Sequence, residues 1–294
     1  MLRWEEDEVL KLYEQNGSVR QTAKIVRRRY DDVRKVIKDD ARREVRAFIE
    51  TVSKKTMGII TERKDAKRVV GVIGDLHCPF EHKGYIEFLK DTFEKHKVTD
   101  VVFIGDICDN HAISRHQTEP SAKGATREYE MAYESLRPFV EAFPKAMLCH
   151  SNHDSIPERQ IATLGMPTVF IKKFKDLWGL PDTWEYERYF IIDDVYYHHG
   201  LGANGINGAI NKALNERMSV VQGHQHSVFN IEYRANARDL IFGMSVGCGV
   251  NNDLYAFEYG KFAPRKPVLG CGIVKSSSEA LLVPMGLKYF GGEK

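Results

Sequence analysis

Five short clusters of potential metal ligands punctuate this chain: Asp75-Leu-His77, Gly105-Asp106-Ile-Cys-Asp109, Asn152-His153-Asp154, His198-His199-Gly200 and Gly223-His224-Gln-His226. Each follows a short apolar run or sits on the loop that run feeds. A lone histidine at a strand end is usually a structural residue with its hydrogen bonds satisfied. Five clusters in the same position relative to five strands point instead to one shared site. Asp, Asn and His together form a mixed oxygen–nitrogen donor set that suits Mn, Fe, Zn or Ni. Cysteine is absent from the set, which argues against a structural zinc site. Asp75, His77, Asp106, Asn152, His199, His224 and His226 are too many ligands for one such ion and fit two ions that share a carboxylate. Of the adjacent pair His198 and His199, only one can face the site, because neighbouring strand residues point to opposite sides. His199, next to the glycine, is the expected ligand.

The elements that must position these clusters are legible as texture. Val69 to Ile73 and Val101 to Ile104 are β-branched apolar runs of the kind that form strands buried on both faces. A helix is expected over 83–96, a polar loop over 109–126, a helix over 127–143 and a third strand near Ala146–Leu148. Residues 156–180 read as irregular and helical. Phe190–Ile192 and Val195–Tyr197 read as paired strands, and 204–217 as a helix. Strands return at 219–222, 228–233, 241–246, 270–275 and 280–284. Strand–helix–strand alternation indicates an α/β layered domain. In an open α/β sheet functional groups gather at the carboxyl ends of the strands, so the residues after VVGVIG, VVFIG, AMLCHS and SVVQG are expected along one edge.

Ahead of this region the texture is different. Val9, Leu10, Leu12 and Tyr13 form one stripe of a first helix that ends at Asn16-Gly17-Ser18. Ser18 can cap a second helix with Val19, Ala23, Ile25 and Val26, and Asp31 a third with Val33, Val36 and Ile37 turned inward. The spacing predicts a basic, helix-turn-helix-like domain over 1–50, a charged linker over 51–66 and a catalytic domain over 67–294. The chain has 294 residues, 43% hydrophobic and 29% charged, with a net charge of +2, as in ordinary globular proteins. Its basic surplus is local: residues 1–66 carry 17 Lys+Arg against 13 Asp+Glu. Five cysteines without a CxxC pair suit reduced thiols in a cytosolic protein. The start, MLRWEEDEV, lacks the pattern of a secretory signal, and no apolar run is long enough for a membrane span. The expectation is a cytoplasmic protein.

The order Asp-x-His, Gly-Asp-x-x-Asp, Asn-His-Asp, His-Gly, Gly-His-x-His resembles the calcineurin-like metallophosphoesterase superfamily over essentially all of 67–294. The resemblance implies a β-sandwich flanked by helices and a centre with two divalent ions, manganese first among the candidates. It implies that Asp75, His77 and His226 hold one ion, that Asn152, His199 and His224 hold the other, and that Asp106 bridges them. His153 would protonate the leaving group, with Asp154 orienting His153 or its loop. Hydrolysis would use a hydroxide shared by the ions, as in two-metal sites generally. Two departures stand out. Ser151 replaces the usual glycine before Asn-His, a mild change if its φ is negative. Asn110-His111 stands where protein phosphatases of the superfamily carry Arg-Gly, which weighs against a phosphoprotein phosphatase; Arg115 or His116 on the same loop could substitute.

Residues 18–37 resemble the helix-turn-helix of small regulators, transposases and phage terminase subunits, with Arg27 where glycine is common. Docked on DNA, the third helix would bring Arg34 and Lys35 to the major groove, and Arg27, Arg28 and Arg29 to phosphates. The whole chain is similar to phage- or prophage-borne members that join such a head to the phosphoesterase. The leading expectation is a DNA-directed phosphodiesterase, that is, a nuclease. The alternatives are a small-molecule phosphomonoesterase or cyclic-nucleotide phosphodiesterase, which substrate panels discriminate, and a DNA-binding protein with an idle phosphoesterase fold, which the intact ligand set disfavours.

Overall fold

A computed structural model describes residues 5–27, 29–37, 60–61, 68–114, 124–251 and 265–290. The chain divides into two compact units, Met1–Met57 and Gly58–Lys294.

In the first unit, helices α1 (Glu6–Asn16) and α2 (Val19–Val26) are followed by α3 (residues 30–37). Val9, Ala23, Val26 and Val33 are buried together, with Leu12, Val19, Val36 and Ile37 packed against them. Glu5 and Glu8 close a capping box at the start of α1, and Gly17 ends the helix in a left-handed conformation. Ser18 Oγ accepts the Gln21 N–H at 3.3 Å, as the sequence predicts for α2. Two expectations need correction. Ile25, named with Val19, Ala23 and Val26 among the apolar residues of α2, does not join them in the core and is 47% exposed, because the inner face of this two-turn helix is already filled by Ala23 and Val26. Asp31 is not a cap: the helix begins one residue earlier, with the Arg29 carbonyl accepting from Asp32 and Val33. Arg27 occupies the turn with φ 51° and donates its N–H to the Ala23 carbonyl, so it fills the position where glycine is common.

The second unit packs two six-stranded sheets face to face. Its elements in chain order are β1 (Ile60–Thr61), β2 (Val70–Ile73), α4 (Tyr85–His96), β3 (Asp100–Phe103), α5 (Ala125–Ala142), β4 (Met147–Cys149), α6 (Ile156–Thr163), α7 (Phe174–Trp178), β5 (Glu185–Glu187), β6 (Tyr189–Ile192), β7 (Val195–His198), α8 (Gly208–Glu216), β8 (Ser219–Gln222), β9 (Phe229–Ala235), β10 (Leu240–Val246), β11 (Gly270–Ser276) and β12 (Glu279–Pro284). One sheet runs β1-β6-β7-β8-β10-β9 and the other β12-β11-β2-β3-β4-β5. Strands β2 to β5 are parallel, as are β7, β8 and β10, and antiparallel strands complete each sheet.

Period-two alternation explains the layers. Val70, Val72, Val102 and Ile104 turn inward to meet Phe190, Tyr197, Val221, Phe242 and Met244 of the other sheet. Ile73, Val101 and Phe103 turn outward beneath Tyr85, Leu89, Leu136, Phe139 and Trp178 of the covering helices. Ile210 and Ala213 of α8 cover Val220 on the opposite side. Burial on both faces is why the β2 and β3 segments read as apolar runs. Two strands escape that reading. β5 is the polar edge segment Glu-Tyr-Glu, and β1 falls in the stretch expected to be linker, where it pairs in parallel with β6. The rest of that linker, and the helical reading of 38–50, lie outside the described residues.

Trp184 is the hub of the helix-covered layer. Its ring stacks on Phe103 with centroids 4.6 Å apart, and its indole N–H donates to the Phe143 carbonyl at 2.8 Å. Trp184→Ala removes a fully buried aromatic and should cost about 3–5 kcal/mol, read as a lower urea midpoint for the second unit by circular dichroism.

Candidate metal centre

The ligand clusters do not line one edge of a single open sheet. Asp75, Asp106 and Asn152 follow β2, β3 and β4 of one sheet, whereas His199 and His224 follow β7 and β8 of the other. The sandwich faces these carboxyl ends toward each other, because the parallel strands of both sheets end on the same side of the shared core. The site is the seam between the sheets.

There the seven expected ligands converge. Asp75 Oδ2 lies 3.1 Å from His226 Nε2, which is 3.1 Å from His77 Nε2. His199 Nε2 lies 2.8 Å from Asn152 Oδ1, 3.1 Å from His224 Nδ1 and 3.2 Å from Asp106 Oδ2. The same Asp106 oxygen is 3.5 Å from His77 Nε2. One carboxylate oxygen therefore stands between the Asp75–His77–His226 group and the Asn152–His199–His224 group. Its partner, Oδ1, is held away by the His153 backbone N–H at 2.9 Å.

Hydrogen bonding around the rings fixes which nitrogen faces the centre. His77 Nδ1 donates to Asp109 Oδ1 at 2.5 Å, and His199 Nδ1 to the Ile104 carbonyl at 3.0 Å. Once its second proton is displaced, each Nε2 is a lone pair directed at other acceptors, among them carboxylate and amide oxygens. Lone pairs crowded against lone pairs at about 3 Å repel unless a cation lies among them. The donor set thus fits two divalent ions on the chemistry of its atoms, and its nitrogen–oxygen mixture suits Mn, Fe, Zn or Ni. Burial alone would raise the Asp106 carboxyl, but the charges of His199, His153 and His77 hold it well below its ordinary range. His199 is lowered by burial and raised more strongly by Asp106, up to about 9.

Backbone strain concentrates at these residues. His77, Asp106, Asn110 and His224 have φ of 51°, 49°, 55° and 68°. Left-handed conformations in non-glycine residues persist only where the surroundings enforce them, and three of these four side chains are in the convergent set. Gly105, with φ 103°, is required on two counts: a Cβ there would also press on Ser151 and on the His199 ring. Ser151 is not left-handed, so the missing glycine costs no strain. Its hydroxyl instead accepts the Asp106 N–H at 2.9 Å and donates to Asp154 at 2.6 Å.

Asp154 belongs to this brace. Its carboxylate accepts from Ser151 Oγ and from the backbone N–H groups of Ile107 and Cys108. Its bonds therefore run to Ser151 and to the Asp106 loop, and the His153 ring is bonded by a different residue. His153 Nδ1 donates to the Asp109 carbonyl at 2.7 Å and lies 3.3 Å from the Asp109 carboxylate. Burial lowers His153, but Asp109 and Asp106 together push it up to about 10. Asp109, which hydrogen-bonds both His77 and His153, is the functional residue that sequence reasoning left without a role. Its signal was the last position of Gly-Asp-x-x-Asp. His198 points away from the centre; its Nδ1 accepts the Gly200 N–H, and burial drives it down to about 3. Asn110 donates from Nδ2 to the His153 carbonyl at 3.0 Å. Arg115 and His116 lie outside the described residues.

The family model for calcineurin-like phosphoesterase matches residues 68–241. Among solved structures, vacuolar protein sorting 29 from Cryptosporidium parvum is 12% identical, with TM-score 0.40 over 75% of this chain and 98% of that one. A single mutant of Vps29 from Entamoeba histolytica is 12% identical, with TM-score 0.34 over 74% and 99%; Vps29 from Chaetomium thermophilum is 10% identical, with TM-score 0.35 over 74% and 97%. No curated protein sequence matches the chain.

Gly223 offers a test of the ligand geometry. A Cβ at this position would overlap Asp75 Oδ1 and Ile104 Cγ2, forcing the carboxylate out of line with His226. Gly223→Ala should lower metal affinity about 10–100-fold, measured as ion content by mass spectrometry after dialysis at graded free metal concentrations.

Proposed function

Because the chain belongs to the calcineurin-like phosphoesterase family, which supports metal-dependent hydrolysis of phosphate esters, we propose that it is a phosphodiesterase directed at DNA. The convergence of Asp75, His77 and His226 on one side of Asp106, and of Asn152, His199 and His224 on the other, carries the catalytic part of this reading. These seven residues would hold two divalent ions, with manganese our first choice for a site of this mixed donor chemistry. Two such ions supply Lewis-acid neutralisation of phosphoryl oxygens and acidify water.

The chain's own groups do the rest. Asp106 keeps its Oδ2 between the two ligand groups because Oδ1 is engaged by the His153 N–H. Asp109 orients the His77 ring through its carboxylate and the His153 ring through its carbonyl, so the proton His153 can give up is the one on Nε2. With its charged form favoured by Asp109 and Asp106, His153 is equipped to give its Nε2 proton to the departing alkoxide. Asp154 and Ser151 keep the two loops in register.

The DNA part rests on the first unit. Arg27, Arg34 and Lys35 are exposed on the turn and on α3, while Arg29 is committed to Asp32 at 3.0 Å and Arg28 lies outside the described residues. Three exposed cations on one helix and its leading turn suit phosphate contact with counterion release. Among the described residues no helix is long and apolar enough to cross a membrane. A cytoplasmic location fits this proposal.

Three outcomes test it. Asp106→Asn should abolish hydrolysis of bis(4-nitrophenyl) phosphate. His153→Ala should keep its metal content but lose about 10²-fold in kcat on alkyl diesters, and less on 4-nitrophenyl esters, whose leaving group departs without a proton; equal losses on both would exclude the general-acid role. Arg34→Glu with Lys35→Glu should leave hydrolysis of the small diester unchanged while weakening binding to duplex DNA, with the slope of log K against log salt shallower by about 2. Fluorescence anisotropy across a salt series reads this, and an unaltered slope would remove α3 from the DNA contact.

A further inference from the structure

An open cavity of about 530 Å³ adjoins the metal centre on the His153 side. Its wall is the Asn152–His153 loop continued by one face of α6, with Ile156, Arg159, Ala162 and Thr163. That volume is in the range of sites built for whole small ligands and far exceeds what a single phosphoryl group needs. Asn152 of the centre and His153 both line the cavity, so a leaving group that takes a proton from His153 departs beside this space. Within the wall, Arg159 supplies the cationic group. Its Nη2 donates to the Asn152 carbonyl at 2.6 Å, which tethers the side chain beside a ligand of the proposed centre. The guanidinium has five N–H donors in a planar fork, and this bond engages one nitrogen, so the others remain for an anion in the cavity. A fork already tethered loses little entropy on gripping a phosphate.

We propose that this cavity is the leaving-group subsite, sized for one nucleotide unit, and that Arg159 determines specificity by binding the phosphate next to the scissile one in a polynucleotide. The proposal rests on the phosphodiesterase reading and narrows it. Arg159 supplies positive charge that Asn110-His111 does not, but places it on the departing side of the reaction. Chain polymers with a second phosphate would then be held better than isolated diesters, and the apolar wall at Ile156 and Ala162 would face the sugar and base.

The test uses the metal-loaded full chain, as wild type, Arg159→Ala and Arg159→Lys. Thymidine 5′-monophosphate, thymidine 3′-monophosphate and thymidine 3′,5′-bisphosphate are compared by calorimetry and as competitive inhibitors of bis(4-nitrophenyl) phosphate hydrolysis. Wild type should bind the bisphosphate at least about tenfold more tightly than either monophosphate, the scale of one charge-assisted contact. Arg159→Ala should bring that ratio close to one, and Arg159→Lys should retain part of it. A wild type with no preference for the bisphosphate overturns the subsite. So does an Arg159→Ala variant that weakens all three ligands equally, since that pattern means Arg159 only supports Asn152 or meets the scissile phosphate. If the wild type hydrolyses monoesters and no diester, the phosphodiesterase reading fails on its own, and the calorimetric ratio still decides whether the cavity reads a second phosphate.

Discussion

The arrangement depends on one electrostatic constraint: imidazole lone pairs and carboxylate oxygens are packed about 3 Å apart in a buried seam. No apolar core would choose this. His77 and His199 could relieve the crowding by turning their N–H groups inward, but Asp109 and the Ile104 carbonyl claim those protons on the outer sides. The outer hydrogen bonds commit the rings to face the centre as acceptors, and an acceptor cluster of this density is stable when it encloses cations. The orientation of these two ligand rings is thus set by the bonds on their outer sides, from Asp109 and the Ile104 carbonyl.

The fold accepts strain to keep that cluster together. Asp106 and His77 come from adjacent parallel strands of one sheet and both have left-handed backbones. His224, also left-handed, comes from the other sheet, and its N–H donates to Asp75 across the seam. Each such conformation costs on the order of 1 kcal/mol or more, a strain the site can carry because both sheets are braced by buried layers on each face. The main core between the sheets runs directly beneath the seam through Val72, Ile104 and Val221. Rigid walls below allow irregular backbone above.

Much of this was legible in the residues. Strands buried on both faces announce themselves as apolar runs, so β2 and β3 could be read together with the ligands at their ends. β5 could not, because an edge strand of Glu-Tyr-Glu carries no hydrophobic pattern and is defined only by its pairing with β4. The seven convergent side chains were identifiable from type and order. That they meet at a seam between two sheets, rather than along one edge, was not, since periodicity says which face is buried and nothing about which sheet a strand joins. Asp109 was visible as a motif letter, yet its function lies in two hydrogen bonds to partners 32 and 44 positions away. At the N-terminus, Arg27 replaces the expected glycine without breaking the turn, because a single left-handed residue costs less than the packing of α2 and α3 returns.

One continuous segment ties chemistry to selection. Ser151 holds the Asp106 loop, Asn152 reaches the metal centre, His153 stands at its rim, Asp154 anchors Ile107 and Cys108, and Pro157 opens α6, whose second turn carries Arg159. Proline in the first turn fits because its missing N–H has no helical acceptor there. The Ile156 N–H donates to the His153 carbonyl and the Arg159 N–H to the Ser155 carbonyl, so the loop passes into the helix without a flexible joint. The proposed proton donor and the proposed phosphate grip therefore move as one body, and their separation is set by helix geometry rather than by loop sampling. A leaving group seated against Arg159 is delivered to His153 at a fixed distance, which makes binding of the remote phosphate a means of aligning the bond to be broken.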